Sequence, residues 1–423
     1  MSEIKEVLLE QNPWWKEEFA LEFKPRTVFG EMRKFLPLPQ MIALTGLRRV
    51  GKTTLMLKIA QDFIAGGADA KDVVYFSFDE FPKVELRNVL QTYEGLVGKN
   101  LREGKRLVLL DEVQKLENWE NQVKGAYDSF GKNNKIILSG SESLFIRGKS
   151  KETLAGRLFE FKVAPISFKE FLQFKNSRLE PPGLYEKEAQ KLLAEFALTC
   201  GFPELVGVKE KEVVRKYVVE GIVEKIVYRD IPQLFNVENV SLLRSLINLI
   251  MEEPGRIIEI TKLASDLKAS RQTISAYLNY LEESFLVKKL YNFSKNQGKV
   301  ERKLKKYYPT VISPELLFKE DELSKSKVFE WLAVTQLDAN FFWRDPYKNE
   351  VDIVLPGKNP LPVEIKFGKL EFQGILAFMK KFKVQEGQII SKDIEEEEKI
   401  DGKTISVTPL HKFLLATDSK TRL

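Results

Sequence analysis

Short apolar runs recur through the first half of the chain, each followed by a stretch in which apolar positions return every three or four residues. The runs are MIALT (41–45), VVYFSF (73–78), RLVLLDE (106–112), KIILSGS (135–141) and LFEFKV (158–163). Unbroken apolar runs of this length suit strands buried on both faces, and the 3.6-residue periodicity between them suits helices. The pattern therefore predicts a parallel α/β sheet. After PISFKEFL the pattern turns helical, through EAQKLLAEFALTCGFPELV and KEVVRKYVVEGIVEKIVYRDI, with EPPG (180–183) as a loop. Residues 257–290 then read as helix, turn, helix, and from about 300 the chain returns to mixed strands and helices. The expected division is a parallel α/β core over 1–164, a helical lid over 165–238, a winged helix over 239–299 and a second α/β domain over 300–423. No internal repeat is visible, and the acidic run DIEEEEKI (393–400) reads as a solvated helix or loop.

The first run leads into GLRRVGKTT, which satisfies G-x-x-x-x-G-K-[ST] (Walker A) between a strand and a helix. Gly46, Leu47, Arg48, Arg49, Val50, Gly51, Lys52, Thr53 and Thr54 form the expected nucleotide loop. Its glycines let backbone N–H groups turn toward the phosphates of ATP, Lys52 adds a point charge, and the Thr53 hydroxyl is a ligand for Mg²⁺. The run LVLLDE ends in two acids (Walker B): Asp111 is the expected metal carboxylate and Glu112 the general base for water. VVYFSF falls between the two motifs in sequence, which fits ATPases in which an extra strand separates them in the sheet. Ser139 or Ser141 is a candidate polar sensor of the γ-phosphate. Arg157 is a candidate arginine finger toward a neighbouring subunit, or a sensor within its own, and Arg229 is a more distant candidate for the same role.

In the helix-turn-helix stretch, Ser270 is an N-cap for RQTISAYLNYLEESF. Ile274, Tyr277, Leu278 and Leu281 make the apolar stripe and leave Arg271, Gln272, Thr273 and Ser275 outward. These residue types reach bases and phosphates. A basic run follows as a wing turning at Gln297 and Gly298, with Lys295, Lys299, Arg302, Lys303, Lys305 and Lys306 as phosphate contacts. Further on, Asp352 and the Glu364-x-Lys366 pair fall on successive strands. Side-chain alternation places 364 and 366 on one face, where two carboxylates and a lysine suit a metal-assisted attack on a phosphodiester. Arg344 is a further phosphate contact.

Composition narrows the chemistry. One cysteine, Cys200, excludes an internal disulfide, and one histidine, His411, excludes His-cluster metal sites. A net charge of +6 over 423 residues suits a nucleic-acid partner only weakly. The acids within MSEIKEVLLEQ speak against a signal peptide, and no apolar stretch is long enough for a bilayer, so a cytoplasmic protein without membrane contact is expected.

The motifs together resemble those of prokaryotic AAA+-type ATP-binding proteins, common in archaea. These share an EQNPWW-like start (here 10–15), a GLRRVGKTT loop (46–54), LDEVQK (110–115) and SGS with LAGR (139–141, 154–157), and end in a nuclease-like domain (roughly 300–423). The resemblance implies an AAA+ (ASCE-type) P-loop fold, ATP and Mg²⁺ as cofactors, and a C-terminal restriction-endonuclease-like domain of PD-(D/E)XK type. In that domain Glu330 matches the extra acid of Holliday-junction-resolvase-like members, beside Asp352, Glu364 and Lys366, and Gln373 opens the next helix. The expected function is an ATPase acting on DNA, with branched or repair-intermediate DNA as the expected form, metal-dependent nuclease activity in the C-terminal domain and a homo-oligomer left open. The competing expectation is an ATP-gated regulatory switch whose nuclease fold is inert.

Overall fold

The computed structural model of the chain describes residues 2–81, 83–131, 133–140, 152–179, 182–296, 300 and 304–416. They fall into two compact units, Met1–Pro165 and Ile166–Leu423.

In the first unit the five apolar runs are strands: β1 (Met41–Thr45), β2 (Val73–Ser77), β3 (Leu107–Asp111), β4 (Lys135–Gly140) and β5 (Leu158–Lys162). They form one parallel sheet in the order β2-β3-β4-β1-β5. The strand between β1 and β3 is β4, while β2 lies at the edge outside β3. Parallel strands need crossovers, and these are supplied by α3 (Lys52–Ala65), α4 (Leu86–Val97) and α5 (Trp119–Phe130), preceded in the chain by α1 (Ser2–Gln11) and α2 (Thr27–Arg33). All five residues of β1 and of β3 are buried, which is why those runs carry no polar alternation.

The edge at β2 is covered by the segment after α1. The Asn12 carboxamide accepts from Tyr75 N (2.7 Å) and donates to Tyr75 O (2.9 Å), and Gln11 accepts from Ser77 N (3.0 Å). The indoles of Trp14 and Trp15 both donate to Val73 O, at 3.1 and 2.8 Å. EQNPWW is thus an edge cover that satisfies backbone groups an exposed strand would offer to another chain.

The second unit opens with helices Phe168–Phe174, Glu186–Leu198 and Lys211–Val218, and the last continues into π-helical turns over 219–224 and 226–230. Helices Val240–Glu252, Ile260–Asp266 and Arg271–Glu283 follow, with β6 (Arg256–Ile258) between the first two. Then come β7 (Val287–Asn292), β8 (Lys305–Pro309), helix Glu322–Gln336, β9 (Phe341–Arg344), β10 (Glu350–Val351), β11 (Ile353–Leu355), β12 (Leu361–Lys366), helix Gln373–Phe382, β13 (Glu386–Ser391), β14 (Glu396–Ile400) and β15 (Lys403–Pro409). They build two sheets, β10-β9-β7-β8-β6 and β11-β12-β13-β15-β14.

Two sequence expectations change here. A boundary at 299/300 falls between β7 and β8, which pair antiparallel. The same sheet continues through the parallel β7–β9 contact into residues 341–351, so these strands form one ladder. The acidic run expected as helix or loop is largely strand β14, hydrogen-bonded to β15 at the sheet edge with Glu396 and Glu397 exposed. Charges on an edge strand discourage further pairing, so a Glu-rich sequence is compatible with a strand there. Asp352 sits at the break between β10 and β11, where the chain leaves one sheet for the other.

Candidate functional site

The loop 46–51 joins the C-terminal end of β1 to α3. Gly46 has φ 146°, and a Cβ there would lie 2.2 Å from Val163 O, so glycine is required. Gly51 has φ 95° and Arg49 φ 61°, so the loop turns through left-handed backbone. Leu47 and Val50 point into the core, while Arg49, Thr53 and Thr54 are exposed and Arg48 is half-buried. Lys52 is 5% exposed and its ammonium donates to Gly46 O and Leu47 O, both at 3.0 Å. Arg26 fastens the loop from outside the motif, donating to Val50 O and Ala164 O at 2.7 Å each.

Asp111 ends β3 facing this loop. Its Oδ2 accepts from the Thr53 hydroxyl (2.6 Å) and the Tyr75 phenol (2.8 Å), and its Oδ1 accepts from Ser139 Oγ and from Glu112 N (3.1 Å). Burial first, then the charge of Asp111, keeps the Tyr75 phenol far above its ordinary pKa, so it acts as a neutral donor. Glu112 is held at φ 53°, a left-handed conformation that is strained for a side-chain-bearing residue. Gln114 Nε2 donates to its Oε2 at 2.5 Å. Burial raises the Glu112 carboxyl above its ordinary value; Lys52 opposes the shift and Asp111 adds to it.

Of the two serine candidates, Ser139 is in the site, and Ser141 lies outside the described residues. Arg157 is elsewhere. It precedes Leu158, which pairs with Met41 at the start of β1, whereas the loop follows Thr45 at its end. Four residue steps at ~3.3 Å separate those ends by about 13 Å, so Arg157 is no contact for its own subunit's nucleotide. Its guanidinium pairs with Asp128 at 3.0 Å. Arg229 is exposed in the π-helical segment of the second unit.

The second cluster gathers around Asp352. Its Oδ2 accepts from Ile365 N (2.9 Å), the antiparallel β11–β12 pairing brings β12 alongside, and Lys366 pairs with Glu364 at 3.0 Å. Glu330 joins from helix Glu322–Gln336 and accepts from the Tyr308 phenol at 2.6 Å. The four residues expected there from sequence therefore lie together, with Tyr308 and two further additions, Lys306 and Glu350. Lys306, expected as a surface phosphate contact, is buried among the acids. Its Nζ lies 2.6 Å from Glu350, 3.5 Å from Asp352 and 3.8 Å from Glu330. The cause is strand alternation: Lys306 and Tyr308 share the inner face of β8. Glu350 is also bridged by Arg344 at 3.4 Å.

Burial would lower the Lys306 ammonium, but Tyr308 and the acids around it hold it well above the usual lysine range. Burial, then the charge of Asp352, pushes Glu364 up to about 8, and its Oε2 has no hydrogen-bond partner. Among the described residues no group of three or more His, Cys, Asp or Glu side chains is arranged to hold a metal ion. With an ammonium between its carboxylates, this cluster does not fit a metal as it stands.

On helix Arg271–Glu283, the Ser270 hydroxyl caps Thr273 N at 3.0 Å. Arg271, Gln272 and Ser275 are exposed, whereas Ile274, Tyr277, Leu278 and Leu281 are buried. Thr273 is half-buried and also meets Ser270 Oγ through its own hydroxyl. Lys295 is exposed, and Lys305 is half-buried over the Tyr291 ring. Gln297, Gly298, Lys299, Arg302 and Lys303 lie outside the described residues.

With both sites described, known proteins add the following. Residues 38–172 match the family model described as an AAA domain. That match falls almost wholly within the first unit and agrees with its strand–loop–helix motif and parallel sheet. Residues 190–310 match a model described as a domain of unknown function (DUF8612). An uncharacterized protein of Methanocaldococcus jannaschii is 27% identical over 412 residues, 89% of this chain and 85% of that protein. One from Haemophilus influenzae is 28% identical over 250 residues, 57% of this chain; the match spans 60% of that relative's length. Similar solved structures include Cdc6p from Pyrobaculum aerophilum, with 11% identity, a TM-score of 0.31, and coverage of 75% of this chain and 97% of that one. AMPPCP-bound DnaA from Aquifex aeolicus has 15% identity, a TM-score of 0.29, and coverage of 63% and 90%. Likeness at that level says nothing about ligand or partner. No helix among the described residues is long and apolar enough to cross a membrane.

Proposed function

We propose that the chain is a Mg²⁺-dependent ATPase whose turnover is linked to DNA held by its second unit. The observation that carries the first part is the convergence of Lys52, Thr53, Asp111, Glu112 and Ser139 around one glycine-built loop. The residues fit the ligands: the donors facing Asp111 are hard oxygens, and Lys52 rests on neutral carbonyls. Thr53 and Asp111 would hold Mg²⁺, and backbone N–H groups of the loop with Lys52 would hold the phosphates. The cation supplies charge neutralisation on the phosphates when bound. Glu112 is the base for the attacking water. Its burial and its acidic neighbour raise its proton affinity above that of an ordinary carboxylate, the direction that favours a general base. Ser139 and Tyr75 hold Asp111 in place from the two adjoining strands.

For DNA, helices Ile260–Asp266 and Arg271–Glu283 followed by the β7–β8 hairpin support a winged-helix reading, with Arg271 and Gln272 at the exposed start of the recognition helix. The test is ATP turnover measured with single-stranded, duplex and junction DNA. Stimulation by at least one of them is expected. Replacing Arg271 and Gln272 with Ala together should weaken binding, and Lys305→Ala should reduce the salt slope by about 1. Turnover indifferent to every DNA would favour the second reading, an ATP-gated regulator with an inert C-terminal fold. That reading has one observation in its favour, the lysine buried between the C-terminal acids.

A further inference from the structure

The C-terminal cluster holds the residue types of a metal-dependent centre but keeps an ammonium where the cation would be needed. Lys306 is 4% exposed, and three carboxylates on three separate elements meet its nitrogen: Glu350 on β10, Asp352 at the β10–β11 break, and Glu330 on a helix. That convergence is how oxygen ligands surround a divalent ion, at longer distances because N–H bonds intervene. A second observation points to a missing ligand: Glu364, 8% exposed, leaves Oε2 without a partner beside the same group. A buried acceptor in that state is costly unless something is meant to meet it. The centre is also built tightly. A Cβ at Gly255 would sit 2.8 Å from the Tyr308 hydroxyl and 2.9 Å from Glu330 Oε1, so the chain leaves no side chain there.

We propose that Lys306 is a built-in counter-ion that stands in the place of a divalent cation and keeps the C-terminal carboxylate centre closed to metal. The proposal rests on reading Glu330, Asp352 and Glu364 as a nuclease-like centre, and it deepens that reading by naming its resting state. Lys306 and Tyr308 both belong to β8, the strand that closes the winged-helix hairpin, so a shift of that strand would withdraw both from the acids at once.

The test uses the full chain, free of nucleotide, titrated with Mn²⁺ alone while free Mn²⁺ is followed by electron paramagnetic resonance. Wild type and Asp352→Asn should bind the same amount of Mn²⁺, because the centre is closed. Lys306→Met should bind about one Mn²⁺ more per chain, and the added site should vanish in the Lys306→Met, Asp352→Asn double variant. The proposal is overturned if Asp352→Asn already removes a site from the wild type, or if folded Lys306→Met gains none. Should Lys306→Met fail to fold, Lys306→Met with Glu350→Gln removes one repelling acid and is expected to fold and gain the site. If neither folds, with or without Mn²⁺, the lysine is a structural ion-pair partner and the proposal falls. A gained site without cleavage of single-stranded, duplex or branched DNA removes the nuclease reading and leaves the lysine's role intact. Cleavage by the wild type that Asp352→Asn abolishes does the reverse.

Discussion

Two lysines in this molecule are almost equally buried and do opposite work. Lys52 is 5% exposed and Lys306 4%, yet Lys52 donates to two neutral carbonyls whereas Lys306 lies among three carboxylates. The Lys52 ammonium, fixed on carbonyl dipoles and felt by Glu112, can turn to an incoming anion; the Lys306 ammonium, held by three acids, is already neutralised. The acids differ in the same way. Asp111 is surrounded by hydroxyl donors that a cation can replace, while Asp352 and Glu350 face an ammonium that a cation must evict. What separates a site poised for ligand from one that is closed is the partner of each charge, not the inventory of residues.

The largest effect expected from that contrast is at Lys52. Lys52→Ala should abolish nucleotide binding or turnover, and Glu112→Gln should lower turnover by roughly 10²- to 10³-fold while retaining bound ATP, the scale typical of removing one catalytic group. Filter binding with labelled ATP and a phosphate-release assay separate the two outcomes. Near-normal turnover in both variants would break the comparison at its first member.

At Lys306 the expected effect is on stability. Removing one partner of a buried ion pair costs about 3–5 kcal/mol, because the remaining charges stay buried. Lys306→Met should therefore lower the urea midpoint of the second unit strongly, and by more than Lys52→Ala lowers that of the first, because the Lys52 ammonium donates to two backbone carbonyls and Lys306 lies among three carboxylates. Equal losses in the two variants would mean that the difference in partners has no energetic consequence.

A pH series sharpens the same point. The Glu364 carboxyl, ordinarily near 4.5, is pushed up to about 8 in the folded chain by burial and by Asp352. Between those values the folded state binds a proton that the unfolded state has released. Its contribution is full below about 4.5 and is lost as pH rises through about 8. Glu330, raised by burial and then by Asp352, adds the same sign. Denaturation curves from pH 4.5 to 8.5 should show Glu364→Gln losing less stability with rising pH than the wild type. A parallel pair of curves would mean that Glu364 is charged in the folded chain.

How much of this was readable in the sequence follows from the same logic. The five strands of the first sheet were legible because parallel strands covered on both faces are unbroken apolar runs, and the nucleotide loop because its ligands are contiguous. Glu330, Asp352, Glu364 and Lys366 were legible because β-alternation and one hairpin suffice to join most of them. Tyr75, Gln114, Arg26, Tyr308 and Glu350 were missed, since nothing local marks a phenol or an arginine that reaches a site from a separate element. Lys306 was misassigned for a specific reason: within KLKKYY every lysine reads as basic surface. Only the alternation of β8, with Lys305 and Tyr307 on one face and Lys306 and Tyr308 on the other, carries the signal that one of them turns inward.

The smallest effect belongs to a third cation, Arg157, whose partner is neither a carbonyl nor a buried acid. It pairs with Asp128 at 3.0 Å, and both side chains are well exposed, at 34% and 45%. An exposed pair of this kind contributes about 0–1 kcal/mol, so Arg157→Ala should leave unfolding almost unchanged. It lies at the start of β5, the opposite end of the sheet from the nucleotide loop, so turnover by an isolated subunit should also stay within about twofold of wild type, a difference under ~0.5 kcal/mol. The informative variable is protein concentration. If wild-type turnover per chain rises as the protein is concentrated and Arg157→Ala stays flat, the arginine acts across a subunit boundary, where its exposure and its loose partner leave it free to engage another chain's phosphate. If turnover in dilute solution falls tenfold or more in Arg157→Ala, the arginine reaches its own subunit's nucleotide, and the separation along β1 has been crossed by a rearrangement of the sheet's ends.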